Sequence, residues 1–324
     1  MQLKRCLTLF ASLFLTVLGT LGLSSCSPTA PSQTKLAPGQ FEWQPQRSAR
    51  GPVLMVVSID DQMAYVYRNG VQIARSTVST GRPGKETPTG VFTILQRKVK
   101  HESNIYKGAQ MPYMQRLTWS GIAMHAGQLP GYPASGGCIR LPYEFSQKLY
   151  SVMHNGATVA ITKKNSQPSQ SSKPAGILLA SKAASTERPI PNPEGKVVWN
   201  PGKSRSGPFS VLVSYADQTV YVWRNGVQIG QSPLSIRPGS NPPEGVFMML
   251  QGKDRSGKNA WSSLSLSGGS AQGDAVEAMR ANIRMPDDFA RKIAALLEPG
   301  TILLSTNNSS NSSTRSGRNF SIIQ

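Results

Sequence analysis

The sequence is short of acids, of histidine and above all of cysteine. Against 35 Lys and Arg stand 16 Asp and Glu, with 3 Cys and 3 His in the whole chain. His101, His125 and His154 lack short ligand spacings, and no second thiol or carboxylate cluster accompanies them, which excludes a protein-built metal centre. A nucleotide loop is missing too. Gly81-Arg82-Pro83-Gly84-Lys85 comes nearest, but Ser79 stands where the first glycine is needed and Glu86 where Ser or Thr would hold magnesium. No cofactor is expected. A formal net charge of +19 calls for an anionic partner. The absence of Lys/Arg runs, of a recognition-helix pattern and of interleaved stacking aromatics argues against nucleic acid. An anionic wall polymer and a membrane surface remain.

What is present begins with a leader. Residues 1–25 open with Lys4 and Arg5 and continue as an apolar run from Leu7 to Leu23, the order of a secretion signal. The run ends in Leu23-Ser24-Ser25-Cys26, which resembles the bacterial lipobox and implies that Cys26 becomes a lipidated first residue. An uncleaved membrane anchor is the rival reading. Ser27 after the cysteine implies transfer to the periplasmic face of the outer membrane, with the membrane met through the N-terminal lipid. On this reading Cys6 leaves with the leader, and Cys138 remains as a free thiol in an oxidising compartment. A disulfide framework is then impossible.

The rest of the chain repeats itself. Trp43-Gln44-Pro45 recurs as Trp199-Asn200-Pro201, and Tyr65-Val66-Tyr67-Arg68-Asn69-Gly70-Val71 as Tyr221-Val222-Trp223-Arg224-Asn225-Gly226-Val227. Gly90-Val91-Phe92 returns as Gly245-Val246-Phe247, and Ile139-Arg140-Leu141-Pro142 as Ile283-Arg284-Met285-Pro286. The offset shrinks along the way, so the second copy has lost loop. The expected organisation is a tether over 26–40, a first domain over 41–163 and a linker over 164–191. A degenerate second copy follows over 192–305, and then a low-complexity, disordered tail over 306–324.

Each copy opens as β structure. Val53–Ile59 and Gln62–Arg68 read as strands with alternating apolar positions, Asn69-Gly70 as a hairpin turn into Val71–Thr80, and Val91–Gln96 as a further strand. Leu141, Phe145, Leu149, Val152 and Met153 fall at helical spacing after Pro142, with Asn155-Gly156 ending the helix and Ala157–Thr162 closing the domain. The fold class is all-β with short helices, as two tandem β-sandwich domains. His154, at the helix end, is read as structural.

Gly121–Pro142 holds the candidate chemistry. His125 and Cys138 lie on separate short segments, the arrangement of a base and a nucleophile. The plain alternative is a buried structural Cys beside an ordinary His. Against it stand Gly136 and Gly137, poor residues for a core strand but suitable for leaving amide N–H groups open to an oxyanion. The amides of Gly137 and Cys138 are expected to face that oxyanion, an interaction worth roughly 3 kcal/mol per donor. A free thiol with pKa near 8.5 is only a few per cent ionised at neutral pH, so an adjacent imidazole is needed. With Ala126 next to His125, a backbone carbonyl has to hold the tautomer.

Thr80-Gly81, Thr87-Pro88-Thr89-Gly90, Met124-His125-Ala126-Gly127 and Ser135-Gly136-Gly137-Cys138-Ile139-Arg140 resemble the L,D-transpeptidase catalytic domain, the YkuD-like family. The likeness covers about residues 43–162, with a degenerate match over 199–305. It implies a β-sandwich and acyl transfer on peptidoglycan stem peptides, for wall crosslinking or attachment of wall-linked protein, with carbapenem sensitivity. Cys138 matches the nucleophile, His125 the base, Ser135 and Gly137 the motif turn, and Arg140 the arginine that positions loop or substrate. The family motif is typically Ser-His-Gly-Cys, and Gly136 takes the place of that His. Two readings follow: His125 suffices and Gly136 opens the pocket, or the domain has weakened into a wall-binding lipoprotein. A hydrolase using the same thiol is a third reading. The second copy has Asn282 at the position of Cys138 and no His, which excludes thiol chemistry there and leaves a structural or wall-binding role.

Overall fold

A computed structural model describes residues 35–163, 169–171, 193–253, 257, 259–265, 275–310 and 321–323. Cys26 and the leader lie outside the described residues, as does most of the expected linker. Among the described residues no helix is long and apolar enough to cross a membrane.

The first copy runs β1 (Phe41–Trp43), β2 (Val53–Ser58), β3 (Met63–Arg68), β4 (Val71–Thr77), β5 (Gly90–Thr93), β6 (Gln96–Lys98), β7 (Met114–Arg116), β8 (Ala123–Ala126), β9 (Ile139–Leu141), α1 (Tyr143–Val152) and β10 (Thr158–Thr162). β11 (Ser169–Ser171) follows. The second runs β12 (Val198–Trp199), β13 (Phe209–Ser214), β14 (Thr219–Arg224), β15 (Val227–Pro233), β16 (Ser235–Ile236), β17 (Gly245–Lys253), β18 (Asn259–Ser265), α2 (Ala275–Asn282), β19 (Ile283–Arg284), α3 (Asp287–Ala294) and β20 (Ile302–Thr306), and β21 (Ser321–Ile323) ends the described chain. Mostly β structure with few short helices is therefore the observed class.

Each copy builds a large sheet on a hairpin that its sequence specifies. Asn69 and Asn225 both take positive φ, 50° and 49°, ahead of Gly70 and Gly226, as a tight turn between right-twisted strands requires. The bulge between Val66 and Tyr67 returns between Val222 and Trp223. β10 lies parallel to β2 and antiparallel to β5, and β20 stands in the same relation to β13 and β17. The large sheets are ordered β1-β4-β3-β2-β10-β5-β21 and β11-β18-β17-β20-β13-β14-β15-β12. Strands thus occur in two segments read from composition as linker and as disordered tail.

The first core lies between its large sheet, α1 and a second, four-stranded sheet ordered β6-β7-β8-β9. In α1, Phe145 and Leu149 are fully buried one turn apart, with the rings of Phe41 and Trp43 5.5 and 5.7 Å from Phe145. The expected strand Val91–Gln96 is split: β5 stays in the large sheet and β6 opens the small one. His154 sits just beyond α1, exposed, with Nδ1 on the Asn155 carbonyl.

Alternation fails in the central strands, with a clear cause. Every residue of Val53–Ser58 and of Phe209–Ser214 is buried, because both faces of each large sheet are covered. Val53, Met55 and Val57 face the first core, while Leu54, Val56, Tyr65, Tyr67 and Val91 pack against Leu212, Val246, Met248 and Leu304 of the second copy. Burying each such aliphatic side chain contributes about 1.5–3 kcal/mol.

Candidate active site

β8 and β9 pair in parallel, with Met124 opposite Ile139, His125 opposite Arg140 and Ala126 opposite Leu141. Met124, Ile139 and Leu141 enter the core, so His125 and Arg140 occupy the other face of the sheet. Extending the register by one residue sets Cys138 opposite Ala123, on that same face, where it packs with Met111 and Met114. Thiol and imidazole are therefore diagonal neighbours, roughly 7–8 Å apart at Cα by ordinary sheet dimensions.

His125 is 8% exposed, and its Nδ1 lies 2.8 Å from the carbonyl oxygen of Ala126. A carbonyl can only accept, so Nδ1 carries the proton and Nε2 of the neutral ring is an acceptor. Burial holds the imidazole below its ordinary pKa; the Ala126 carbonyl opposes this, and the nearby charges of Arg140 and His101 reinforce it. The Cys138 S–H donates to the Gly121 carbonyl at 3.5 Å rather than to His125. Burial pushes this thiol up, partly offset by the Ala123 N–H and by Arg116 and Arg140. At neutral pH the pair is thus thiol and imidazole, not an ion pair, and the proton has to move during attack.

Residues 52–161 match the family model of the L,D-transpeptidase catalytic domain, YkuD. The first sandwich is a YkuD-family domain. Among solved structures, an L,D-transpeptidase from Stackebrandtia nassauensis is 27% identical over 36% of this chain and 58% of its own, with a TM-score of 0.33. One from Mycobacterium tuberculosis H37Rv is 25% identical over 35% of this chain and 58% of its own, TM-score 0.33. L,D-transpeptidase 3 of Mycobacterium tuberculosis, in complex with a faropenem-derived adduct, is 25% identical over 34% of this chain and 60% of its own, TM-score 0.32. This chain thus spans less than two thirds of the length of each of these. No curated protein matches the chain.

In the YkuD domain the thiol turn is held from both sides. Ser135 Oγ donates to the Cys138 carbonyl at 2.5 Å and accepts the Gly137 N–H at 3.0 Å. The Gly137 amide, expected to face an oxyanion, is therefore taken up by Ser135; this corrects the sequence reading. Thr87 Oγ1 donates to the Gly137 carbonyl and accepts the Gly81 N–H, both at 2.8 Å. The segment that looked faintly like a phosphate loop is thus the wall against which the thiol turn rests. Backbone bonds of 2.9 and 3.0 Å between Arg140 and Ser79 fasten it further, so Arg140 anchors the loop through its main chain.

Sequence reasoning missed the cover of the site. Residues 99–113 form a loop closed by backbone bonds from Tyr113 N to Val99 O and from Met111 N to His101 O, both 2.8 Å. Its tip lies over the thiol turn. A Cβ at Gly136 would sit 2.6 Å from Tyr106 Oη, and one at Gly121 2.4 Å from Ile105 Cδ1. The Tyr106 hydroxyl thus fills the space that the motif His would need at position 136. The same loop brings His101 near His125, with its imidazole also held down by burial and by Arg116 and Lys98. In the second copy Asn282 ends α2, its Nδ2 donating to the Ala278 carbonyl at 2.7 Å. Arg284 pairs with Ser235 there much as Arg140 does with Ser79.

Proposed function

We propose that this chain is a cysteine-dependent L,D-transpeptidase acting on peptidoglycan stem peptides. The observation that carries the reading is the His125 tautomer: with Nδ1–H on Ala126, the bare Nε2 belongs to a ring on the same sheet face as the Cys138 thiol. Membership of the first sandwich in the YkuD family supports the substrate class.

Nε2 of His125 takes the thiol proton as Sγ attacks the carbonyl carbon of the L-centre residue. The C–N bond to the terminal D-amino acid breaks, its amine leaves with the proton from the imidazolium, and a thioester remains on Cys138. An acceptor amine then attacks the thioester, gives a proton to Nε2 and restores the thiol. Ser135 and Thr87 hold the turn while this happens, and Arg140 keeps β9 against the backbone of Ser79. We place the protein at the periplasmic face of the outer membrane, anchored through lipid on Cys26, with the cationic surface toward the anionic wall.

The test is product analysis with purified tetrapeptide-stem muropeptides. The unmutated chain releases D-Ala and forms linked stems, and Cys138→Ala does neither. Release without linkage would shift the assignment to the hydrolase. No release by the unmutated chain would remove the enzymatic reading.

A further inference from the structure

The second copy meets the first through a contact that is reciprocal in two independent places. Val56 and Leu212, Val91 and Val246, and Ala160 and Leu304 occupy equivalent sheet positions, and all six are buried in one cluster between the copies. At the rim, a Cβ at Gly156 would lie 2.4 Å from Pro208 Cγ, and one at Gly300 3.6 Å from Pro52 Cβ. Gly156 corresponds to Gly300 and Pro52 to Pro208, so each copy's glycine meets the other copy's proline. The tails also cross between the copies, though onto strands that are not equivalent. β11 follows the closing strand of the first copy and pairs with β18 of the second, while β21 follows the closing strand of the second and pairs with β5 of the first. Contacts in which i meets j′ while j meets i′ are the mark of an isologous, two-fold interface between identical subunits. Two unrelated tandem domains have no physical reason to produce that pattern twice.

We propose that this chain is an internal dimer, two copies of one sandwich fused in sequence and joined back to back, with the second kept as a permanent partner for the first. Its occupant role follows from chemistry. The outer face of the first large sheet is apolar, and the apolar face of the second large sheet covers it. The thiol sits on the four-stranded sheet, across the first core from that face. A copy that lost its nucleophile therefore touches no substrate at Cys138, and what it supplies is the covering surface. This inference does not depend on the reaction at Cys138.

The experiment cuts the folded full chain. A specific protease site is placed within residues 172–190, the chain is cleaved, and elution volume and native mass are read before and after. The two halves are expected to co-elute at the mass of the uncut chain, and Val56→Asp with Leu212→Asp to release them as separate halves after the same cut. Separation of the unmutated halves on cleavage would overturn the proposal in favour of independent domains on a tether, whatever the double variant does. Cys138 labelling by a small alkylating reagent is expected to keep its rate through the cut, and a several-fold change would contradict the placement of the thiol away from the interface.

Discussion

At position 125 one ring nitrogen is already engaged, and that decides what the other can do. Because Nδ1 donates to Ala126, Nε2 accepts, and His125→Ala should lower the rate of Cys138 acylation by roughly 10²–10⁴-fold, read by stopped-time mass analysis. The pH profile has a definite sign. Burial lowers the imidazole, so the base form persists below the usual value of about 6.5, and the acid limb of acylation should fall at lower pH than that. Burial raises the thiol, so simple alkylation of Cys138 by iodoacetamide should show its midpoint above the ordinary cysteine range, and a midpoint below it would contradict the neutral pair. The Ala126 carbonyl as partner of the His125 ring was legible in the sequence, because the residue after the histidine offers no polar side chain to hold it. The engagement of the Gly137 amide by Ser135 was not, since a serine two residues before a glycine does not reveal which way its hydroxyl turns. Ser135→Ala removes both of that hydroxyl's bonds and should cost about 1–3 kcal/mol in thermal or urea unfolding.

Among the elements, the turns rather than the strands shape the site. A Cβ at Gly81 would stand 2.0 Å from the Lys85 carbonyl, so Gly81→Ala forces the wall behind the thiol turn to move and should destabilise by more than ordinary surface substitutions do. Gly136→His restores the family's motif but collides with Tyr106, and the expected outcome is an opened 99–113 loop, seen as faster limited proteolysis within it. Unchanged cleavage would show that Tyr106 is not seated on that turn. The hairpins and α1 were readable from Asn-Gly turns and from apolar spacing. The small sheet was harder, because strands of three and four residues carry too few positions for a period to register. The loop over the site carries no periodicity at all.

For the whole molecule, the paired motifs and their matching hairpins were legible in the sequence, but the packing of the two large sheets against one another was not. The missed clue was Val53-Leu54-Met55-Val56-Val57, a continuous apolar run where a sandwich open to water on one side would alternate. That run is what a sheet covered on both faces looks like. Leu212→Asp places an unpaired charge in the shared cluster and should lower unfolding stability by about 3–5 kcal/mol while leaving Cys138 reactive in the folded fraction. The most direct measurement of the central claim concerns the sulfur itself: intact mass of the full chain after exposure to a carbapenem, beside Cys138→Ala and His125→Ala. The account predicts one covalent adduct on the unmutated chain, none on Cys138→Ala and a greatly slowed one on His125→Ala. An adduct that survives loss of Cys138, or no adduct on the unmutated chain, would contradict it.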